Sequence, residues 1–373
     1  MQRCDILIVG AGVAGTSLAW ALARRGETNV VVVERERAPA FHASGRSART
    51  LVETDPNPTI QKLKLAAAPF FRQPPSGFSA RPLLDRRGAL ALLSHAGAAA
   101  METTIASLQR EGVACQLLAA RAASELCAEL DARGFDVAFH LPDSGFIDVD
   151  ALIGCYVAHA SAAGVRFLYD AGVDDVSRGA GGGVDVEVGG ETISASTVVN
   201  AAGAWAGDFA SRAGCAPLVL TPLRRSLGLY EPPPNARMHE WPLVLSEVHN
   251  VYFRPLGTDL MLCPMDAERS APCDTRPVAG VFDDARARLA SIAPRLADLR
   301  QKHAWAGLRT FSDDAVPVVG RDMRWPAMFW LAGQGGCGIE TSPFVADVAA
   351  DLLLGGTTTR FDARLLTPAR FVR

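Results

Sequence analysis

The turn Gly10-Ala11-Gly12-Val13-Ala14-Gly15 is built to hold a diphosphate. Residues 5–9 before it read as a short buried strand, and residues 16–25 after it read as a helix. Strand, G-x-G-x-x-G turn and helix in that order form a dinucleotide fingerprint. Gly10 permits the tight turn, Gly12 lets the backbone approach a pyrophosphate, and Gly15 lets helix and strand pack closely. Val13 and Ala14 lie at the helix entrance, where free N–H groups and the helix dipole favour negative charge. A second apolar strand, Val30–Val33, ends in Glu34. An acid about twenty residues beyond the turn is placed to bind a ribose hydroxyl.

Two arginines stand in segments that otherwise read as buried strands. Arg225 lies in Leu223-Arg224-Arg225-Ser226, and Arg309 ends Trp305-Ala306-Gly307-Leu308-Arg309. Such a guanidinium either closes a structural ion pair or grips a carboxylate through two parallel bonds. Arg224 competes with Arg225, because neighbours on a strand point to opposite faces.

The elements that must position these groups point to an α/β protein with a second, α+β domain. At 373 residues the chain exceeds one comfortable core, so two domains are expected. The net charge of −3 gives no electrostatic case for nucleic acid or an anionic membrane. No run of eighteen apolar residues could span a bilayer. The fingerprint strand begins by Asp5, which leaves no room for a secretory leader, so a cytoplasmic location is the expectation. The eight cysteines form no C-x-x-C pair and no ligand cluster, which suggests reduced thiols and no metal centre.

Ala43-Ser44-Gly45-Arg46-Ser47-Ala48 is a small polar turn. Residues 59–71 have helical periodicity, and Pro74-Pro75 mark a boundary. Residues 143–148 look like a turn, residues 149–163 a helix, and residues 165–169 a strand rejoining a parallel sheet. Residues 179–183 form a Gly-rich hairpin turn. Asn200-Ala201-Ala202-Gly203-Ala204-Trp205 is a strand entering a Gly turn and a helix, a second place for backbone N–H groups to face a cofactor. Residues 218–262 contain strands with Pro-rich breaks, which fits an antiparallel sheet. Residues 285–299 read as one helix. Residues 329–338 are a strand and Gly-rich turn before a helix over residues 342–354. Three strand–Gly–helix units spread along the chain imply a discontinuous Rossmann-like domain of residues 1–75, 145–215 and 305–373. The expected substrate domain, built on an antiparallel sheet, takes residues 76–144 and 216–304.

The order of these motifs resembles the FAD-dependent D-amino-acid oxidase family, which also holds glycine oxidases, sarcosine oxidases and D-amino-acid dehydrogenases. The motifs are Gly10–Gly15 with Glu34-Arg35, Gly45-Arg46-Ser47-Ala48, residues 200–205, Trp305–Arg309, and Gly335-Gly336-Cys337-Gly338-Ile339. Within the family the likeness is strongest to the bacterial D-arginine dehydrogenase branch, and it covers nearly the whole chain. The resemblance implies FAD rather than NAD. It assigns the adenosine ribose to Glu34 with Arg35 beside it, adenine to the backbone of Gly172-Val173, and the pyrophosphate and flavin edge to Ala43, Ser44, Gly45, Arg46, Ser47 and Ala48. Ala202, Gly203, Trp205 and Gly307 complete the cofactor wall. Gly335, Gly336, Cys337, Gly338 and Ile339 approach the flavin, where a helix N-terminus would stabilise negative charge. Some sarcosine oxidases attach flavin through a cysteine near residues 307–311. None stands there in this chain, so non-covalent FAD is expected, with Cys337 a small residue in a tight turn.

The resemblance also implies that Arg225, Tyr252 and Arg309 bind the substrate carboxylate, with Thr50, Ala89, Leu243, Leu245, Gly336 and Glu340 in the pocket. Ala89 stands where the D-arginine enzymes have an acid, and Glu340 where they have glutamine, so an uncharged side chain is expected. His42 is assigned to the cofactor shell rather than to proton transfer. The implied reaction oxidises the Cα–N bond of an amino acid, with a small-molecule substrate and an electron acceptor, oxygen, quinone or another, left open. A secondary-amine or 2-hydroxy-acid oxidation on the same scaffold, or a flavin-binding accessory subunit without turnover, are the alternatives.

Overall fold

Residues 2–179 and 181–371 are described by a computed structural model in which two large sheets contribute walls to one cavity. The strand Gln2–Val9 is the axis of the first sheet. Its side chains alternate between two cores. Ile6 and Ile8 pack with Leu18, Leu22 and Val32, while Leu7 and Val9 pack with Val31, Val186 and Trp330. Both faces are therefore covered, which is why Val30–Val33 is four buried valines without polar alternation. The order is Val173–Arg178, Val184–Val188, Glu191–Asn200, Gln2–Val9, Val30–Val33, Arg166–Leu168. Met328–Ala332 joins Glu191–Asn200 in parallel, and Val318–Arg321 pairs with it antiparallel. Strands from both ends of the chain thus meet in a Rossmann-like α/β sheet, as the sequence implies.

The fingerprint helix is Val13–Ala23, beginning earlier than residue 16, because Gly12 is still extended and the chain turns helical directly after it. The C-terminal helix, Gly338–Gly355, likewise starts within the Gly-rich turn and not at residue 342. Residues 143–148 are a turn only at their start: Gly145–Ile147 is a strand between Thr50–Leu51 and Leu84–Asp85. Gly145 allows that approach, since a Cβ there would lie 2.0 Å from Asp85 O. The expected helix over residues 285–299 is two helices, Val281–Leu289 and Pro294–Ala297. Pro294 opens the second, and the residue before a proline is pushed out of the helical region. The hairpin at residues 179–183 joins antiparallel partners, with Gly179 N–H donating to Gly183 O; Ala180 lies outside the described residues.

The second sheet has nine strands. Its order runs Glu268–Arg269, Leu220–Tyr230, Asp259–Cys263, Val251–Leu256, Leu243–Ser246, Ala89–Leu93, Val137–Leu141, Gln116–Ala119, with Gln301–Ser312 on Leu220–Tyr230. The sheet departs from the antiparallel expectation at one place: Leu243–Ser246 runs parallel to Ala89–Leu93, strands far apart in sequence. Gln301–Ser312 pairs with Leu220–Tyr230 along almost its whole length. A division at residue 305 would cut that strand, so the second sheet extends through Ser312. One face is sealed by Phe282, Leu289 and Leu296, and the other turns towards the cavity.

Candidate active site

A cavity of about 560 Å³ and a smaller one of about 220 Å³ share Gly12, Ala43, Ser44, Arg46, Gly203 and Gly307. The smaller one holds the residues expected at adenosine, Glu34, Arg35, Gly172 and Val173, together with Gly10 of the fingerprint turn and Ala202 and Trp205 of the expected cofactor wall. Glu34 is fixed there by its own backbone surroundings. Its Oε2 accepts from Ala11 N–H at 2.8 Å and its Oε1 from Glu36 N–H at 3.0 Å. Arg35 lies 3.6 Å over the Trp205 ring, so the pair forms a stacked wall. His42 Nε2 sits 2.8 Å from Glu36 Oε1 and 3.1 Å from Arg35 Nη2, which puts it in this charged cluster. Burial alone would raise the Glu36 carboxyl, yet His42 and Arg35 outweigh it and hold the acid below its ordinary value.

Val13, Ala14, Ser47, Ala48, Gly335, Gly336, Gly338 and Ile339 line the larger cavity, as expected of residues facing a flavin. Val13 N–H donates to Ser44 Oγ at 2.9 Å, so the polar loop caps the fingerprint helix. A Cβ on Gly12 would meet only that hydroxyl, at 3.4 Å; the space kept open by the glycine is cavity. The buried atoms Ser47 Oγ, Thr310 Oγ1, Gln334 Oε1 and Arg225 Nε have no hydrogen-bond partner among the described residues, and all four side chains line the cavity. Buried polar atoms are normally satisfied, so orphans on side chains that line one cavity fit a polar ligand there. The glycine cradle, the ribose-side acid and these orphans together fit FAD.

Three expected cofactor residues do not line either cavity. Gly15 serves packing: a Cβ would lie 2.0 Å from Gly10 O. Gly45 closes the polar loop, where a Cβ would lie 2.4 Å from Ala40 O. Cys337 is buried, its thiol donating to Gln334 O at 3.2 Å, and burial pushes it up to about 12. Arg46 lines both cavities, but its guanidinium is a strut: it donates to Phe41 O and Ala306 O and pairs with Asp274 at 2.6 Å.

At the far end Arg225, Tyr252 and Arg309 converge on the cavity with Thr50, Ala89, Leu243, Leu245 and Gly336. Strand register positions them, with Arg225 opposite Gly307 and Leu223 opposite Arg309. Arg309 Nη2 donates to Tyr252 Oη at 3.5 Å. Among the described residues no carboxylate lies within 4.0 Å of either Arg225 or Arg309. Arg224, the alternative, is taken by Glu268, so Arg225 is the cavity arginine. Asp266 spends its oxygens on Ser226 N–H and Oγ, at 2.7 and 2.8 Å. Burial pushes the Tyr252 phenol above its ordinary value of 10 and Cys263 adds to this, against Arg309 and Arg225, so the hydroxyl remains a donor.

Glu340 borders the cavity, but its carboxylate is not offered to it. Oε2 accepts from Val52 N–H at 2.9 Å and Oε1 from Lys64 Nζ at 3.0 Å. Lys64 also pairs with Asp55 at 3.0 Å and donates to Thr54 O at 3.1 Å. Burial raises the Glu340 carboxyl, Lys64 pulling the other way, and both carboxylates outweigh burial at Lys64 itself. Lys64 was not anticipated from the sequence. The signal was a lysine on the apolar stripe of Pro58–Arg72, in line with Ile60, Ala67 and Phe71. Ala91, Leu93, Met101 and Phe139 were also missed; they line the same cavity.

A family model described as FAD dependent oxidoreductase matches residues 5–352. FAD-dependent oxidoreductase domain-containing protein 1 of Bos taurus is 26% identical over 425 residues, covering 100% of this chain and 85% of that protein. Glycine oxidase of Geobacillus kaustophilus (strain HTA426) is 24% identical over 367 residues, covering 94% of this chain and 93% of the relative. Among solved structures, L-proline dehydrogenase from P. horikoshii aligns with a TM-score of 0.89 at 20% identity, over 99% of this chain and 98% of that one.

Proposed function

The chain belongs to the FAD-dependent oxidoreductase family, and on that premise we propose that it oxidises the Cα–N bond of an amino acid. In this reading the substrate is a D-amino acid with an uncharged side chain. The imino acid formed is hydrolysed by water to a 2-oxo acid and ammonia. FAD, when bound along Glu34, Gly12, Ser44 and the Gly335–Ile339 turn, supplies the acceptor for the hydride that leaves Cα.

The observation that carries the reading is the pair of guanidiniums, Arg225 and Arg309, that face the cavity with no carboxylate within 4.0 Å among the described residues. Two such cations beside a neutral phenol form an anion site. A planar guanidinium suits an amino-acid carboxylate, and Tyr252 adds a third contact that fixes rotation about the Cα–carboxylate bond. Holding the carboxylate at three points aims the Cα–H bond, and such positioning supplies much of a barrier reduction. Leu243, Leu245 and Ala89 exclude water from the same space. No histidine lines the larger cavity among the described residues, Glu340 and Asp55 are tied to Lys64, and Glu247, the remaining acid of the lining, is exposed to solvent. The amine therefore enters neutral and needs no protein base. Likeness to glycine oxidase and to L-proline dehydrogenase, whose named substrate is a secondary amine, supports a second reading in which the donor is a small secondary amine.

The test is anaerobic bleaching of the purified yellow protein by a panel of D- and L-amino acids, sarcosine and 2-hydroxy acids. Bleaching by D-amino acids supports the proposal. Bleaching by sarcosine alone supports the second reading, and bleaching by 2-hydroxy acids alone overturns both.

A further inference from the structure

The carboxylate clamp occupies only one end of the larger cavity. Tyr252 stands opposite Leu245, Leu245 opposite Ala91, and Ala91 opposite Phe139. These four residues form one straight row across four adjacent strands, and all four line the cavity. At about 4.8 Å per strand the row spans about 14 Å from phenol strand to phenyl strand. A neighbouring row, Leu243, Ala89 and Leu141, runs beside it in the same register. The intervening residues Val244 and Leu90 belong to the core on the opposite side of the sheet, and His140 is the residue paired with Leu90 between Phe139 and Leu141.

The helix His95–Arg110 roofs the distal half of these rows. It buries only Ala98 and Leu108, and presents Met101 and Thr104 to the cavity. The result is an apolar arm that begins at the clamp and ends between Met101, Leu93 and Phe139. An alanine-sized side chain attached to a carboxylate at Arg309 and Tyr252 would leave the distal arm unfilled. Glu247 is the one acid of the cavity lining that is not bound to Lys64 in the described residues, and it is exposed. The arm itself carries no charge partner for a cationic side chain.

We infer that this arm receives the substrate's side chain, and that the side chain is large and apolar: an aromatic ring or a long unbranched alkyl group. Ala91 and Met101 set its size from the floor and the roof. The inference rests on the amino-acid reading above and narrows its substrate class.

The experiment uses the FAD-loaded protein and two readouts. The first is kcat/KM for the D- and L-forms of alanine, norvaline, norleucine, phenylalanine, tryptophan and arginine. The second is binding of propanoate and 3-phenylpropanoate, followed by perturbation of the flavin absorption spectrum, which needs no turnover. Burying a benzyl group should raise kcat/KM for phenylalanine over alanine by at least about a hundredfold and tighten 3-phenylpropanoate over propanoate by at least about tenfold. Ala91→Phe should collapse both ratios towards one by filling the row. Met101→Trp closes the arm from the helix side and gives the same reading should Ala91→Phe fail to fold. If alanine is the best substrate and 3-phenylpropanoate binds no tighter than propanoate, the arm is not a side-chain site, while amino-acid oxidation stands. If arginine is best and Glu247→Gln removes the preference, the occupant is cationic and the inference is overturned. If no amino acid bleaches the flavin, the amino-acid reading falls and this inference with it.

Discussion

At the scale of single residues the protein keeps two buried or half-buried cations facing a cavity, an arrangement that is costly unless an anion completes it. Arg309 is the sharper test. Arg309→Ala should retain FAD and fold while kcat/KM falls at least about a hundredfold, equivalent to about 2.7 kcal/mol. Arg309→Lys keeps the charge but not the planar two-point contact, so it should remain impaired. A structural ion-pair role predicts the reverse, an unstable protein with near-normal kinetics in the folded fraction. Flavin content, melting temperature and steady-state kinetics on one preparation separate the two. Tyr252 gives a pH test. Burial raises its phenol above 10, so the hydroxyl is protonated, and donating, at every pH below that. kcat/KM should therefore rise with pH as the substrate amine loses its proton and then stay level, with no descending limb from this group below about pH 10. Tyr252→Phe should lower the whole profile without moving its inflection. A new alkaline limb in the parent protein that vanishes in Tyr252→Phe would show that the phenol titrates lower than its burial implies.

At the scale of elements, Lys64 joins three pieces: the helix Pro58–Arg72, the segment carrying Thr54 and Asp55, and the first turn of Gly338–Gly355 through Glu340. Removing one member of a buried charge cluster leaves the others uncompensated. Lys64→Met should cost about 3–5 kcal/mol, read as a lower urea midpoint with an unchanged slope. An unchanged midpoint would show that the charge cluster adds nothing to stability. Gly12 is the matching test on the cofactor side. Gly12→Leu places a side chain where the cavity must admit the diphosphate, so the folded variant should lose flavin, measured by the absorbance ratio of purified protein. The fingerprint turn was legible in the sequence because every part of it is local: strand, glycines, helix and acid all fall within residues 5–34. The Lys64 cluster was not legible, because its members lie in three separate segments, one of them far along the chain at Glu340. The parallel pairing of Leu243–Ser246 with Ala89–Leu93 was hidden for the same reason. Register across a long connection is set by packing, not by the residues of either strand. Arg225 was distinguishable from Arg224 only once Glu268 was seen to occupy the latter.

At the scale of the whole molecule, the larger cavity has walls from both sheets. Gly12, Ala14 and Gly203 come with the first, and Gly307, Arg309 and Thr310 with the second. The chain crosses between them several times, and the motifs that meet at the cavity are spread from Gly10 to Ile339. Their order along the chain was enough to imply the family; the shape of the space between the sheets, and with it the apolar arm, required the fold. A ligand bridging two sheets stabilises both by mass action. FAD at a free concentration of about one hundred times its Kd should add about 2.7 kcal/mol, and for a chain of this length that is a rise of about 3–4 °C in melting temperature. The rise should grow with FAD concentration, because Cys337 is buried with its thiol held up to about 12 and residues 307–311 contain no cysteine, so neither of these two flavin-side segments offers a thiolate for a covalent bond. Acid precipitation should accordingly leave all the yellow colour in the supernatant, and the reconstituted apoprotein should recover both colour and melting temperature. Flavin that stays with the pellet, together with a melting temperature independent of added FAD, would establish covalent attachment and redirect attention to side chains of the cavity wall other than Cys337.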